Sequence, residues 1–145
     1  MERERIVVGI DGLAGSERAL RWALSEACWR RCDVEMVYCW APHPAMATGY
    51  VPTMDDISTA GNANLDIVRS HCYDDIEASQ AVGVVISRRV LEGDVSRALE
   101  TESKDAAMLV VGRRGHGELS RRVLGSVSRH LVTHAHCPVV VVPAA

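Results

Sequence analysis

The chain has 145 residues, of which 48% are apolar and 24% are charged, and its formal net charge is −3. This length suits one domain with one hydrophobic core, and the composition is that of an ordinary globular protein. The slightly acidic balance and the scattered arginines argue against a nucleic-acid partner. No apolar run approaches the length of a membrane span, and the charged start lacks the apolar stretch of a signal peptide. We therefore expect one domain over residues 1–145, a cytoplasmic location, and neither membrane nor nucleic acid as a partner.

Short apolar runs rich in β-branched residues occur at five places along the chain and predict five strands. Their expected bounds are Arg5–Ile10, Val34–Trp40, Val84–Leu91, Met108–Val111 and Pro138–Val142. Segments with apolar residues at helical spacing separate them. This alternation predicts an α/β fold, a doubly wound and mostly parallel sheet with helices on both faces.

The helices between the strands are predicted from the same periodicity. Ser16 is a good N-cap for the first helix, a long helical pattern runs from Asp55 to about Ala81, and a short helix follows Asp94. The last helix is expected over roughly residues 123–135. In doubly wound sheets ligands bind beyond the carboxyl ends of the strands, near the point where the strand order reverses. We expect Asp11 and Gly112, at the ends of the first and fourth strands, to flank that point.

Cysteines and histidines give weak signals for metal or redox chemistry. The five cysteines, at positions 28, 32, 39, 72 and 137, form no CxxC pair, which favours buried thiols. The run from His134 to Cys137 reads HAHC, but it precedes a strand and no second ligand cluster is evident. No activated nucleophile and no paired general acid and base is apparent. We expect no metal site and no catalytic residues.

The most informative segment runs from Met108 to Ser128 and reads MLVVGRRGHGELSRRVLGSVS. An apolar strand stops at Gly112, a glycine loop follows, and Gly125 with Ser126 opens the last helix. Glycine lets a backbone approach a ligand closely, and the unpaired N–H groups at a helix start favour an anion. The segment therefore predicts a phosphate cradle, although glycines after a strand also serve tight turns and Ser126 could be a plain helix cap.

Two common phosphate-binding motifs do not fit this loop. A P-loop NTPase requires GxxxxGK(S/T) with a lysine on the phosphates, and the only lysine, Lys104, precedes the fourth strand. The glycine order at 112, 115 and 117 also differs from the GxGxxG of dinucleotide-binding folds. The loop is better suited to holding a nucleotide than to hydrolysing it efficiently.

The spacing Gly112-x2-Gly115-x9-Gly125-Ser126, the aspartate that closes VVGID, and the final HCPVVVVP together resemble the universal stress protein family. The likeness covers essentially the whole chain, and GxxGx9G(S/T) is the motif of the ATP-binding branch of that family. The resemblance implies a five-stranded parallel sheet of order 3-2-1-4-5 and a nucleotide bound at the strand ends. It also implies a role in the stress response and homodimers built by antiparallel pairing of the last strands.

Carried over residue by residue, the resemblance assigns three backbone positions to a triphosphate, those of Gly112, Gly115 and Gly125. It assigns the donors to phosphate oxygens to the first turn of the last helix, namely the hydroxyls of Ser126 and Ser128 and the N–H of Val127. Beside them, Arg113 could reach phosphates through charge-assisted hydrogen bonds, or it could face solvent.

The resemblance also provides contacts for the rest of the nucleotide. Asp11 matches the acidic residue near the ribose, and the main chain of Cys39 matches the position that meets adenine. An alternative for Asp11 is a turn with its own backbone, as is common for aspartate before glycine.

Three functions remain open. The first is a regulatory protein that binds ATP, with or without Mg²⁺, or another adenine nucleotide such as cyclic AMP. The second is a slow ATPase, and the third is a ligand-free dimeric interaction module of the same fold. In each, the run Val139–Val142 would be an exposed, apolar strand edge in a monomer, so we expect a homodimer through this strand.

Overall fold

The computed structural model describes residues 2–11, 14–40, 49, 52–113 and 124–143. Helices separate successive strands along these residues, two of them between the second and third strands, and a 3-10 turn lies at Ser103–Asp105. In chain order the elements are β1 (Arg5–Ile10), α1 (Ala14–Arg30), β2 (Asp33–Trp40), α2 (Met54–His71), α3 (Tyr73–Ala81), β3 (Ile86–Glu92), α4 (Val95–Glu102), β4 (Met108–Gly112), α5 (Ser126–His134) and β5 (Val139–Val142). None of the described helices combines the length and the apolar character needed to cross a membrane.

The five strands form one parallel sheet of order β3-β2-β1-β4-β5. The chain builds outward from β1 to β3 and then returns to the other side of β1 to add β4 and β5. The strand order therefore reverses between β1 and β4. This confirms the predicted doubly wound α/β fold and the order 3-2-1-4-5.

Helices cover both faces of the sheet because successive side chains of each strand point to opposite faces. On one face Ile6 and Val8 of β1 pack against α1 and α2. On the other face Val7 packs with Leu99 of α4 and Leu131 of α5. All five of these side chains are at most 1% exposed, so β1 is the centre of both cores.

An ion-pair network fastens α4 to the amino end of the sheet. The guanidinium of Arg5 donates to Glu35 across 2.6 Å and to Glu102 across 3.1 Å. Arg89 of β3 also donates to Glu102, at 2.9 Å. Burial lowers the pKa of Arg5, but the two carboxylates outweigh it and raise the pKa above its ordinary value. The charges thus lie at the end of the sheet opposite to the predicted ligand site.

Several predicted boundaries were wrong. Ser16 is not the N-cap of α1, since the helix begins at Ala14 and Ser16 lies within its first turn. The long helical pattern is interrupted at Cys72, which is fully buried and separates α2 from α3. The stripe of inner residues is nevertheless continuous, because Val68, Cys72 and Ile76 are all buried on one core.

Two further boundaries shifted. β3 begins at Ile86 rather than Val84, because the N–H of Val84 donates back to Ser79 at the end of α3 and the N–H of Val85 donates to the side chain of Asp33. α5 begins at Ser126, after its N-cap Gly125, rather than at residue 123. The strand positions that carry the candidate site, at the ends of β1, β2 and β4, agree with prediction to within one residue.

The end of β4 approaches the start of α1 backbone to backbone. A Cβ placed on Gly112 would lie 2.5 Å from the carbonyl oxygen of Gly15 and 2.7 Å from its carbonyl carbon. Real Cβ atoms do not come so close to a rigid backbone, so glycine is required at 112 for packing. This contact joins the start of α1 to the end of β4.

We expect Gly112→Ala to lower the free energy of unfolding by about 1–3 kcal/mol, since the added methyl must displace backbone. Gly15→Ala is the matched control. Its Cβ would meet Arg113 at 3.6 Å, an ordinary contact, and alanine is favoured over glycine in a helix by about 1 kcal/mol. Urea unfolding followed by circular dichroism compares the two variants. Equal destabilisation by both substitutions would contradict the conclusion that position 112, and not position 15, lacks space for a side chain.

Candidate functional site

The candidate site lies where the strand order reverses, at the carboxyl ends of β1 and β4. Asp11 directly follows β1, and Gly112 is the last residue of β4. The contact between Gly112 and Gly15 holds the start of α1 against the end of β4. The structure therefore places Asp11 and Gly112 on opposite sides of the reversal, as the sequence predicts.

The side chain of Ser16 contacts both the main chain and the carboxylate of Asp11. The N–H of Asp11 donates to Ser16 Oγ across 2.7 Å, and that hydroxyl donates to Asp11 Oδ1 across 2.5 Å. Ser16 is 3% exposed, whereas Asp11 is exposed to solvent. A buried hydroxyl thus orients an accessible carboxylate. The sequence signal was present in the short DGLAGS loop, but it was assigned to helix capping.

Gly112 and Arg113 continue the sheet beyond the predicted strand. Gly112 lies beside Val142 in the β4–β5 register, and the N–H of Arg113 donates to the Val142 carbonyl across 2.8 Å. The main-chain N–H of Arg113 is therefore occupied. Its side chain is partly buried, and the buried Nε has no hydrogen-bond partner among the residues that the structure describes.

The start of α5 presents uncapped main-chain donors. The chain must return from the carboxyl end of β4 to begin the parallel strand β5, so α5 begins at the carboxyl end of the sheet. Its N-cap is Gly125, whose backbone is extended and which offers no side-chain cap. Ser126 is therefore the first helical residue, and the plain-cap interpretation of Ser126 is wrong. Uncapped N–H groups at a helix start, together with the helix dipole, favour an anion.

The side chains of this first turn differ in accessibility. Ser126 is exposed, Val127 is partly buried, and Ser128 is only 3% exposed. Val127 packs against the core formed by α4 and α5 with the sheet. The turn is thus anchored through its valine, while the hydroxyl of Ser126 faces solvent.

The direction of the Cys39 main chain follows from the alternation of hydrogen bonds along β2. The N–H of Asp33 donates to Glu4 on the β1 side, and the N–H of Val34 donates to Val85 on the β3 side. Cys39 is six residues after Asp33, so its N–H and C=O also point to the β1 side. The ladder between β1 and β2 ends at Ile10. The Cys39 carbonyl therefore points past the last residue of β1.

The thiol of Cys39 is turned away from this edge and packs in the core. Its side chain lies against the core that holds Leu91 and Val95. Burial raises the pKa of Cys39 to about 11, and the charges of Glu102 and Asp94 contribute to the rise. The thiol is therefore protonated at neutral pH, and the group of Cys39 that a ligand can reach is its main-chain carbonyl, since the register pairs its N–H with the carbonyl of Ile10.

Two further predictions concern Gly115 and metal binding. Gly115 lies outside the described residues, as does the rest of the loop from 114 to 123. In the part of the chain that is described, no group of three or more histidine, cysteine or acidic side chains is placed to hold a metal ion. His134 contacts the carbonyl of His130 within α5 instead, at 3.0 Å.

The family model of universal stress proteins matches residues 2–143 of the chain. The chain belongs to the universal stress protein family. A universal stress protein of Mycolicibacterium smegmatis is 32% identical over 144 residues, which cover 94% of this chain and 47% of that protein. The chain thus spans about half the length of the curated relatives it matches.

Solved structures of the family share the fold. A universal stress protein in complex with cyclic AMP is 25% identical, with a TM-score of 0.69 and 98% of each chain covered. A family member from Burkholderia pseudomallei is 26% identical, with a TM-score of 0.64, and the match covers 98% of this chain and 97% of that one. The sheet order and the helices on both faces are therefore those of known universal stress proteins.

The buried thiol gives this family member a testable pH dependence. We expect iodoacetamide to modify Cys39 slowly at about pH 7.5, with a rate that still rises at about pH 10, because the thiolate is the reactive form. Peptide-resolved mass spectrometry of alkylation against pH measures this. The chain unfolded in guanidinium chloride is the control, where the rate should level off above about pH 8.5. Levelling off of the folded protein at that same pH would contradict the burial of the thiol.

Proposed function

We propose that the chain binds an adenine nucleotide, with ATP as the first candidate, across the carboxyl ends of β1 and β4. The observation that supports this most directly is the uncapped start of α5 at the point where the strand order reverses. An anion there would accept main-chain hydrogen bonds and be favoured by the helix dipole. Strand ends at such a reversal are where doubly wound folds bind ligands.

In this proposal the phosphates lie between β4 and α5. Three glycine backbones line them, those of Gly112, Gly115 and Gly125, and the first turn of α5 donates to their oxygens through Ser126, Val127 and Ser128. Arg113 supports the assignment, because its buried Nε has no partner among the described residues and a phosphate oxygen would provide one. If the nucleotide is bound as a Mg²⁺ complex, the metal is carried by the phosphates.

The ribose and the base would lie toward β1 and β2. The exposed carboxylate of Asp11 can accept hydrogen bonds from ribose hydroxyls. The main-chain carbonyl of Cys39 points to the side where β1 has ended, and it can accept a hydrogen bond from the amino group of an adenine edge. The universal stress protein that was solved with cyclic AMP, at 25% identity, supports an adenine ligand in this fold.

Binding is proposed rather than efficient hydrolysis. The only lysine, Lys104, lies in the 3-10 turn between α4 and β4. Because β4 starts after this turn, Lys104 lies at the amino end of the sheet, whereas the proposed phosphate position is at the carboxyl end. A P-loop enzyme places a lysine on the β and γ phosphates. A regulatory role in the stress response, in which the nucleotide changes the shape or the contacts of the protein, fits this residue set. A steady ATP turnover near about 10 per second would instead establish an enzyme.

Isothermal titration calorimetry with ATP, ADP and cyclic AMP tests the proposal. We expect saturable binding at micromolar concentration and a loss of at least about tenfold in Gly125→Val, because the branched side chain would occupy the space of the phosphate. The extended backbone of Gly125, with φ −60° and ψ 162°, admits valine without strain. Thr133→Val, at the other end of α5, is the matched control and should bind as wild type.

The calorimetric outcomes separate the open functions. No heat with any of the three nucleotides at millimolar concentration would overturn the proposal and favour the ligand-free interaction module. Unchanged affinity in Gly125→Val would overturn the phosphate position. The ranking of ATP against cyclic AMP decides which nucleotide the loop accepts.

We also propose that two copies of the chain pair through β5. β5 is an edge strand of the sheet and pairs with β4 on one side. The N–H and C=O groups of its successive residues point alternately toward β4 and away from it. The carbonyls of Pro138 and Val142 accept from β4, so the groups of Val139 and Val141 point away from it, at the free edge. An edge of four valines favours pairing. The opposite edge strand carries the exposed charges of Arg88 and Arg89, which disfavour it.

Val141→Pro tests the dimer, because it removes an outward N–H and leaves the bonds to β4 intact. We expect wild type to be a dimer at micromolar concentration and this variant to be a monomer, as measured by sedimentation equilibrium. Val141→Ala keeps the N–H and should remain dimeric. A monomeric wild type, or a dimeric proline variant, would contradict pairing through β5.

A further inference from the structure

We propose that Ser16 is a positioning residue that sets the preference of the site for a ribose with free hydroxyls. This inference rests on the proposed nucleotide site and deepens it. Ser16 is not among the residues expected to touch the ligand. It acts through Asp11, whose carboxylate would meet the ribose.

The geometry around Ser16 supports this role. Its hydroxyl accepts from the N–H of Asp11 across 2.7 Å and donates to Asp11 Oδ1 across 2.5 Å. Both partners of the hydroxyl thus belong to the same residue. Main chain and carboxylate of Asp11 are fixed relative to each other, so the carboxylate has one orientation at the end of β1.

The anchor itself is rigid. Ser16 is 3% exposed and lies in the first turn of α1, and the preceding residue, Gly15, packs backbone to backbone against Gly112. The carboxylate of Asp11 is therefore tied, through one buried hydroxyl, to the same strand end that carries the phosphate glycine. Distances between ribose and phosphate contacts would be set by this connection.

A carboxylate oriented in advance binds a hydroxyl without paying to order its side chain. A site that hydrogen-bonds a ligand hydroxyl also discriminates strongly against an analogue that lacks it. In Ser16→Ala the carboxylate of Asp11 would lose the hydrogen bond from Ser16 and, with it, its link to the first turn of α1. Selectivity for the ribose hydroxyls should fall, whereas contacts to phosphate and base should remain.

The experiment measures the ratio of the dissociation constants of 2′,3′-dideoxy-ATP and ATP by calorimetry. We expect wild type to favour ATP by about tenfold or more, as for a hydrogen bond to a charged group. Ser16→Ala should lower this ratio at least about threefold. A merely structural loosening would weaken both ligands alike and leave the ratio unchanged.

A double-mutant cycle tests whether Ser16 acts through Asp11. In the Asp11→Ala background, Ser16→Ala should have no further effect on the ratio. Ser79→Ala is the matched control, because Ser79 is equally buried at 3% exposure and its hydroxyl donates to a carbonyl within α3, far from Asp11 in the chain. The control should keep the wild-type ratio. Ser16→Cys, similar in size with a weak donor, replaces the alanine variant if that fails to fold.

The outcomes are distinct. Binding of ATP with an unchanged ratio in both Ser16 variants would overturn the role of Ser16 and leave the proposed function standing. A wild-type ratio near one would overturn the contact between Asp11 and the ribose, and the role of Ser16 with it. Absence of binding by either nucleotide to wild type would overturn the proposed function together with this inference.

Discussion

The backbones of β4 and α1 meet at Gly112 and Gly15 with no side chain between them. This approach fixes the start of α1 against the end of β4, beside the reversal in strand order. A side chain at 112 would push α1 away from the sheet, and with it Ser16 and the carboxylate that Ser16 orients. The positions of Asp11 and of the end of β4 are therefore consequences of one glycine contact. Gly112 is thus required for packing against Gly15. Any close approach of its backbone to a ligand depends on this packing contact.

Two further parts of the site depend on backbone direction rather than on side-chain chemistry. The first turn of α5 is uncapped because its N-cap is a glycine, and it faces the carboxyl edge because β4 and β5 are parallel. The main chain of Cys39 points past the end of β1 because β2 is longer than β1 and its hydrogen bonds alternate. A site made in this way tolerates a buried thiol at Cys39, since the side chain packs in the core.

Local sequence patterns were sufficient to predict most of the fold, because strands that are buried on both faces of the sheet are continuous runs of apolar residues. Continuous apolar runs identified all five strands, and the helical pattern predicted from Asp55 to about Ala81 corresponds to α2 and α3, in which Leu65, Val68 and Ile76 are buried. The break at Cys72 was not visible, because a buried cysteine continues the apolar periodicity through the bend. Ser16 was misassigned for a related reason. A serine near a helix start is usually a cap, and its partner Asp11 can be recognised only when both ends of the loop are in place.

Spacing, composition and periodicity were enough to derive the class of fold, the strands and the segments that meet at the carboxyl edge, because these depend on residues close in the chain. The resemblance of the glycine motif to a known family added the strand order and the expectation of a nucleotide. Tertiary structure decided which of these groups are engaged in packing and in hydrogen bonds within the protein. Gly112 is required by Gly15, the N–H of Arg113 is occupied by Val142, and Ser16 orients Asp11. Each of these depends on a contact between separate elements or across a loop, where a few tenths of an ångström determine whether a hydrogen bond or a side chain fits.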